Sequence, residues 1–393
     1  MSSRKSSSPS RSGKASGKSR GASSKVRYAV VGLGHITQVA ALPAFAHAKR
    51  NSELVALVSD DEAKRRKLGR KYGVRLLATY AEYDALLRSG EVDAVYIGLP
   101  NHLHKDYTVR SAEAGVHVLC EKPLAVTVED CEAMIAAAER NGVKLMTAYR
   151  LHFEKANLTA IETVRSGKIG EARFFSSVFS MNVEEGNIRL HPIAMGGGTL
   201  YDIGIYCINA ARYLFRSEPD EVFAWSANNG EKRFRDCDEM TAAVLRFPGQ
   251  RQATFVTSFG AAPTATYRIV GTKGDLRMDS AYEYAEPMKM TITVGEKSRE
   301  RTFPKRDQFA PELIYFSDCI QTGRDPEPSG REGLADIRVI EGLYRSAREG
   351  RPLRLPELHV QKQRKRPTIE QEITVPPVRK PQLVKVESAS GDD

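Results

Sequence analysis

VRYAVVGLGHIT, residues 26 to 37, is the stretch on which the reading of the fold turns. Apart from Arg27, its first six residues are β-branched, aromatic or small, a run with the length and make-up of a buried strand. Gly32 permits a tight turn after it and Gly34 lets backbone approach a pyrophosphate. The helix that opens at His35 and Ile36 presents N–H groups and the positive end of its dipole. Strand, glycine turn and helix in this order predict the first unit of a dinucleotide-binding sheet. The third fingerprint position is Thr37 instead of Gly or Ala, which loosens the case for close helix–strand packing.

Working outward, ELVALVS (53 to 59), VDAVYIG (92 to 98), VHVLCE (116 to 121) and VKLMTAY (143 to 149) read as further buried strands. Helical windows lie between them near 36 to 48, 61 to 72, 81 to 88, 103 to 114 and 127 to 141. The last opens with Thr127 as N-cap and Asp130 three residues on. This alternation predicts a parallel, doubly wound Rossmann sheet over residues 26–149. After Tyr149 the pattern changes. Helices near 154 to 165 and 199 to 214 are followed by strand-like runs at 221 to 227, 240 to 247, 251 to 259, 266 to 272, 274 to 279 and 288 to 294, joined by turns such as Pro248-Gly249. Helices near 309 to 322 and 331 to 348 come last. The fold class is therefore α/β, with an N-terminal Rossmann domain and a C-terminal α+β domain over 150–355 built on a large, mostly antiparallel sheet. Residues 1–25 read as a disordered basic arm and 356–393 as a Pro- and charge-rich tail.

The chain has 393 residues and a formal charge of +10, which by itself suggests a polyanion partner. Seven basic residues and no acid fall within 1–25, and the body from 26 to 355 carries only +2, so nucleic-acid binding is not expected of the folded part. No apolar run reaches the roughly 18 residues of a membrane span, and the N-terminus lacks an apolar export segment, so a cytoplasmic location is the expectation. The five cysteines are odd in number, widely spaced and free of CxxC or Cys/His clusters. They read as reduced, mostly buried thiols, with no metal site.

Three constellations can carry chemistry. The first is the end of the second strand. There Ser59, with Lys64 and Arg65 at the start of the next helix, can bind a 2′-phosphate, so NADP is expected as cofactor and NAD less so. Asp60 and Asp61 argue the other way, since either can reach a ribose hydroxyl, and Lys64, Arg65 and Arg66 can equally form a solvated helix face. The second comprises Pro100, Asn101, His102 and His104 after one strand and Glu121, Lys122 and Pro123 after the next, both at carboxyl ends that face a ligand crevice. A lysine fixed there can bridge cofactor and substrate hydroxyls; the histidines can cap a helix or contact a nicotinamide. The third is GGGTLYDIGIYC, 196 to 207, in which Thr199 can cap a helix while Asp202 and Tyr206 share a face at i and i+4. That pair is either a buried tyrosine bonded to a carboxylate or a phenol poised for proton transfer, for which Lys122 is a candidate cation.

Taken together, GLGH (to 35), GLPNHLH (to 104), EKP (to 123), YRLHFEKANL (to 158), GGGTLYDIGIYCIN (to 209) and SGREGLADIRVIEGLYRSAREGRP (329 to 352) resemble the glucose-fructose oxidoreductase branch of the Gfo/Idh/MocA dehydrogenase family. The resemblance runs from about 26 to 350. It implies NAD(P)-dependent hydride transfer to or from a sugar or polyol, and a homodimer or homotetramer formed through the C-terminal sheet. By that analogy Lys122 touches nicotinamide and substrate, Tyr206 is the proton donor or acceptor, Asp202 orients the sugar, Arg150 lies near the cofactor and Arg189 lines the substrate pocket. Tyr206 stands where many members have His, which points to the branch holding glucose-fructose oxidoreductase, NADP-dependent aldose dehydrogenases and dihydrodiol dehydrogenases. The leading expectation is an NADP-dependent sugar oxidoreductase. A dissociable aldose or dihydrodiol dehydrogenase is the alternative, and a non-enzymatic cofactor-sensing or assembly protein with a basic arm is the alternative of another class.

Overall fold

A computed structural model of the chain describes residues 25–358 and 372–386. The basic arm, apart from Lys25, and most of the tail lie outside the described residues. β1 (Val26–Val31) sits inside a six-stranded sheet. Its companions are β2 (Ser52–Val58), β3 (Leu76–Ala78), β4 (Ala94–Ile97), β5 (His117–Glu121) and β6 (Leu145–Ala148). The order is β3-β2-β1-β4-β5-β6 and every pair is parallel, the doubly wound arrangement expected from the alternating pattern. The edge strand β3 has only three residues, too short for hydrophobic patterning to flag.

The first helix opens with a π-helical turn (Thr37–Ala41) and continues as α1 (Leu42–Ala44). Pro43 has no N–H to give to the Val39 carbonyl, so the tighter α-helical ladder is interrupted there. α2 (Glu62–Tyr72) is capped by Asp61, which accepts from the Lys64 amide at 3.0 Å, and ends at Gly73. α3 (Tyr83–Arg88), α4 (His104–Glu113) and α5 (Val128–Arg140) follow. Thr127 caps α5 as expected, its Oγ1 accepting from the Asp130 amide at 3.1 Å.

The second half begins with α6 (Lys155–Arg165) and β7 (Ala172–Asn182). A π-helical turn (Leu200–Gly204) then leads into α7 (Ile205–Phe215). Next come β8 (Glu221–Ala227), β9 (Met240–Phe247), β10 (Arg251–Ser258), β11 (Gly260–Gly271), β12 (Gly274–Asp279), β13 (Met288–Val294) and β14 (Lys297–Phe303). α8 (Ala310–Thr322), α9 (Gly330–Glu349) and β15 (Leu353–Arg354) complete the order. Nine strands form one sheet, β14-β13-β12-β11-β7-β10-β9-β8-β15, in which only β7 and β10 run parallel.

β7 is absent from the strands read off the sequence, yet it lies mid-sheet. Its alternation explains the position: Phe175, Ser177 and Phe179 face the helices while Phe174, Ser176 and Val178 face outward. α6, α7 and α9 pack on one side of this sheet. The other side is open and carries Phe174, Val178, Trp225 and Val244, with Trp225 68% exposed. The division at Tyr149 is not clean in space. α8 returns to cover the first sheet, where Ser317 bonds the Tyr28 and Ser52 hydroxyls at 2.8 Å each and the Ile314 carbonyl accepts from Asn51 at 2.9 Å.

Candidate active site

At the carboxyl end of β1, Gly32 adopts φ +89°, and an added Cβ would lie 2.4 Å from the Gly98 carbonyl oxygen after β4. Only glycine fits both the left-handed backbone and the contact. Thr37 is fully buried beneath the same loop, and a Cβ on Gly98 would fall 2.6 Å from its Oγ1. The close approach that the third fingerprint residue normally allows is here provided by Gly98 on the opposite side. Above Gly34 an added Cβ would meet nothing within 4 Å. That opening, at the start of the helix carrying His35 and Ile36, fits a pyrophosphate.

At the end of β2, the two acids that argued against a phosphate are engaged elsewhere. Asp60 Oδ1 accepts from the Tyr80 amide at 2.9 Å, and Asp61 is the cap of α2. Ser59 Oγ accepts from the Asp61 amide at 3.2 Å, and the Arg65 guanidinium bonds the Ser59 carbonyl. Arg65, more than Lys64, is thus the cation held at the strand end.

The β4 and β5 loops were expected to hand Pro100, Asn101, His104 and Glu121 to the cofactor. Pro100 opens a 3-10 turn, and the Asn101 amide donates instead to the Gly196 carbonyl at 2.7 Å, joining the two halves of the chain. His104 is completely buried, with Nδ1 2.8 Å from the Pro123 carbonyl and Nε2 2.9 Å from that of Leu99. Burial lowers its pKa despite those acceptors. With both ring nitrogens occupied, His104 braces the two loops and presents no free atom to a ligand. Glu121 is buried under the Tyr96 hydroxyl and accepts from the Lys122 amide at 3.2 Å, so it shapes the turn that projects Lys122.

The five residues that meet are Lys122 after β5, Arg150 in the 3-10 turn after β6 (Arg150–His152), Arg189 in the turn Ile188–Leu190, Asp202 in the π-helical turn, and Tyr206 at the start of α7. Lys122 Nζ lies 3.1 Å from Asp202 Oδ1, 2.9 Å from the Asp202 carbonyl oxygen and 4.8 Å from the centroid of the Tyr206 ring. Arg189 Nε donates to Asp202 Oδ2 at 2.6 Å. Arg150 donates to the Tyr206 hydroxyl at 3.2 Å. Of the two arrangements open to the Asp202–Tyr206 pair, the mutual hydrogen bond is not formed: the carboxylate is held by Lys122 and Arg189 and the phenol by Arg150. Thr199 stands at the cap position before Leu200, but its side chain makes no capping bond; its buried hydroxyl donates to Asp238 and accepts from Thr257 at 2.8 Å.

Burial alone would raise the Asp202 pKa, but Arg189 and Lys122 override it and hold the carboxyl well below its usual range. Burial likewise opposes the Lys122 charge, and Tyr206, Asp202 and Glu121 together raise its pKa. Of the five groups that meet, three are cations and one is an acid, an arrangement that favours an anionic oxygen beside Tyr206. Arg150 is anchored by the Tyr282 carbonyl and Gln308, and its guanidinium carbon lies 5.3 Å from the Tyr284 ring centroid. Tyr282, Tyr284 and Gln308 went unforeseen, because they sit more than 100 residues further along the chain with no local motif.

Two sequence profiles match the chain. One, described as an oxidoreductase family with an NAD-binding Rossmann fold, covers residues 26–149; the other, the GFO/IDH/MocA C-terminal domain, covers 157–277. D-xylose 1-dehydrogenase (NADP(+)) 2 of Haloferax volcanii is 32% identical over 330 residues, 82% of this chain and 97% of that protein. An uncharacterised oxidoreductase of Rhizobium meliloti is 34% identical over 83% of this chain and 98% of its own. Among solved structures, aldose-aldose oxidoreductase from Caulobacter crescentus, complexed with glycerol, superposes with a TM-score of 0.80 at 39% identity, covering 84% of this chain and all of that one. A 3-ketoreductase from Actinomadura kijaniata in complex with NADP and TDP-benzene gives 0.75 at 27% identity over 82% and 98% of the two chains.

Proposed function

Because the chain belongs to the Gfo/Idh/MocA oxidoreductase family, we propose that it catalyses NADP-dependent interconversion of a carbinol and a carbonyl on a cyclic sugar, in the manner of a glucose-fructose oxidoreductase. The observation that carries this reading is the pairing of Tyr206 with two cations, Arg150 at its hydroxyl and Lys122 over its ring. When bound, the nicotinamide supplies the hydride donor or acceptor. In the oxidative direction the Tyr206 oxygen takes the hydroxyl proton of the sugar, and Arg150 and Lys122 stabilise the negative charge that develops on the reacting oxygens. Asp202, fixed by two cations, accepts hydrogen bonds from sugar hydroxyls and sets which carbon faces the nicotinamide. Arg189 borders the same pocket. The glycine turn and Ser59 with Arg65 would hold the pyrophosphate and 2′-phosphate.

The experiment that tests the reading is a screen of aldoses, ketoses and polyols against the purified protein, following absorbance in the reduced-nicotinamide band with and without added NADP. Turnover with one or more sugars supports it, and none with any sugar overturns it. Cycling of two sugars without added cofactor distinguishes an oxidoreductase that retains NADP from a dissociable aldose or dihydrodiol dehydrogenase.

We further place the subunit contact on the open face of the nine-stranded sheet, where Trp225, Val178 and Val244 are exposed together. A solution mass equal to the 43.5 kDa of one chain would overturn that assignment. Five free, buried thiols fit the reducing cytoplasm, and among the described residues no helix is long and apolar enough to cross a membrane.

A further inference from the structure

Residues 372–386 return from the tail, starting beside α6 and ending against the first two helices of the Rossmann unit. Ile373, Val375 and Val384 pack on the core cluster formed by α1, α2, α8 and one face of the first sheet. Glu372 pairs with Lys155 at 3.0 Å, and Lys71 Nζ donates to the Gln382 carbonyl at 3.3 Å. The firmest attachment is Gln38, which is 1% exposed. Its amide oxygen accepts from the Val384 N–H at 2.8 Å, and its Nε2 donates to the Val384 carbonyl at 3.1 Å and to that of Leu33 at 2.9 Å. One buried side chain therefore ties this segment to the middle residue of the glycine turn, and its hydrogen-bonding groups are matched on both sides.

The segment then carries Lys385 to the start of α2. Its Nζ lies 3.5 Å from Asp61 Oδ2, with the lysine side chain 60% exposed. This is the end of β2, where a dinucleotide-binding sheet meets the adenosine ribose. Asp61 uses Oδ1 to cap α2 while Oδ2 faces Lys385, so Lys385 offsets the charge that the cap leaves at this end of β2 and adds a cation near Arg65 and Ser59.

We infer that residues 372–386 form a strap that completes the 2′-phosphate pocket and slows cofactor release, with Lys385 as a determinant of NADP over NAD. The inference rests on the NADP reading above. It assigns to the C-terminal tail a role in cofactor retention, and so favours an enzyme whose cofactor stays bound between turnovers.

The test uses the full chain and three variants, Lys385→Ala, Lys385→Glu and Val384→Pro, the last removing the N–H that Gln38 accepts. NADPH and NADH affinities are measured by fluorescence titration and NADPH release by stopped-flow displacement, with no sugar present. Lys385→Ala should weaken NADPH about tenfold and Lys385→Glu more, each leaving NADH nearly unchanged, as expected for loss of one charge-assisted phosphate contact. Val384→Pro should speed NADPH release by a similar factor. A segment that merely covered apolar surface would lower thermal stability in Val384→Pro but leave the NADPH-to-NADH ratio and release rate as in the parent, and that result overturns the strap while the NADP reading stands. A parent protein that binds NADH as tightly as NADPH overturns the NADP reading and with it the role of Lys385.

Discussion

Arg150 donates a hydrogen bond to the Tyr206 hydroxyl over 3.2 Å while its guanidinium carbon lies 5.1 Å from the centre of the same ring. A group that bonds the phenol oxygen and also faces its ring holds that oxygen in one place and adds positive charge beside it. With Lys122 on the same ring, the tyrosine is flanked by two cations that cannot move far, because one is fixed by Asp202 and the other by Gln308 and Tyr282.

Tyr206→Phe removes the only atom of that ring able to exchange a proton. Turnover should fall by at least about 100-fold, the usual scale of a general acid–base contribution. NADPH affinity should be almost unchanged, because in the proposed reaction the hydroxyl exchanges a proton with the sugar and makes no contact with the pyrophosphate. Arg150→Met should lower turnover while leaving the Tyr206 ring in place, and Arg150→Lys should recover part of the loss. Steady-state rates beside a binding titration check all three. Parent-level turnover in Tyr206→Phe would remove it from the reaction.

Asp202 makes a prediction about pH. Its native pKa is depressed and the unfolded value is about 3.9, so its pairing with Arg189 and Lys122 contributes stability that is complete above about pH 4 and is lost as pH falls towards the native value. Asp202→Asn has no such proton to take up. Denaturant titrations from pH 7 down to pH 2 should show the parent losing stability more steeply below about pH 4 than the variant. Parallel curves would mean that the carboxylate is no better stabilised in the native state than in the unfolded one. In assays at neutral pH the same substitution should raise the KM for sugar.

Cofactor choice can be examined at the end of β2. NADPH should bind more tightly than NADH. Arg65→Ala should shrink the difference more than Lys64→Ala, because the Arg65 guanidinium is the one held against the Ser59 carbonyl. Fluorescence titration with both cofactors decides it, and equal losses from the two alanines would return Lys64 to the position the sequence first suggested.

How much of this was legible beforehand depends on how far apart in sequence the partners lie. The parallel sheet could be read from its buried runs, since each strand with the turn after it is a local pattern. Lys122, Asp202 and Tyr206 could be read because each sits in a short distinctive run. The partner of Tyr206 could not, since Arg150 reaches it only when α7 packs beside the turn after β6, and its anchors Tyr282 and Gln308 arrive later still. β14 escaped notice because KSRERTF holds almost no apolar residue, and β7 because its strand alternation places serines among the phenylalanines. His104 and Asn101 are harder to read: their motif marks the crevice, but in the structure the His104 ring nitrogens and the Asn101 amide meet carbonyls of the protein itself.

Thr37 is the departure from the glycine fingerprint that the structure explains, and it allows a paired test. Its hydroxyl and methyl are fully buried against Gly98, where a Cβ would come within 2.6 Å of Oγ1. Thr37 is β-branched and has little rotamer freedom to yield, and the Gly98 backbone is fixed by the bond from its amide to the Val31 carbonyl at 2.9 Å. Gly98→Ala should therefore destabilise the protein by about 1–3 kcal/mol, as overpacking does, and weaken NADPH binding by pushing the Gly32 and Gly98 turns apart. Thr37→Ala alone should cost less, because it removes two heavy atoms and leaves a small void. Combined with Gly98→Ala it should restore most of the stability, giving a coupling energy of opposite sign to the loss. Denaturant unfolding of the four proteins measures that coupling. Simple additivity would show that Gly98 is required for some reason other than room for Thr37.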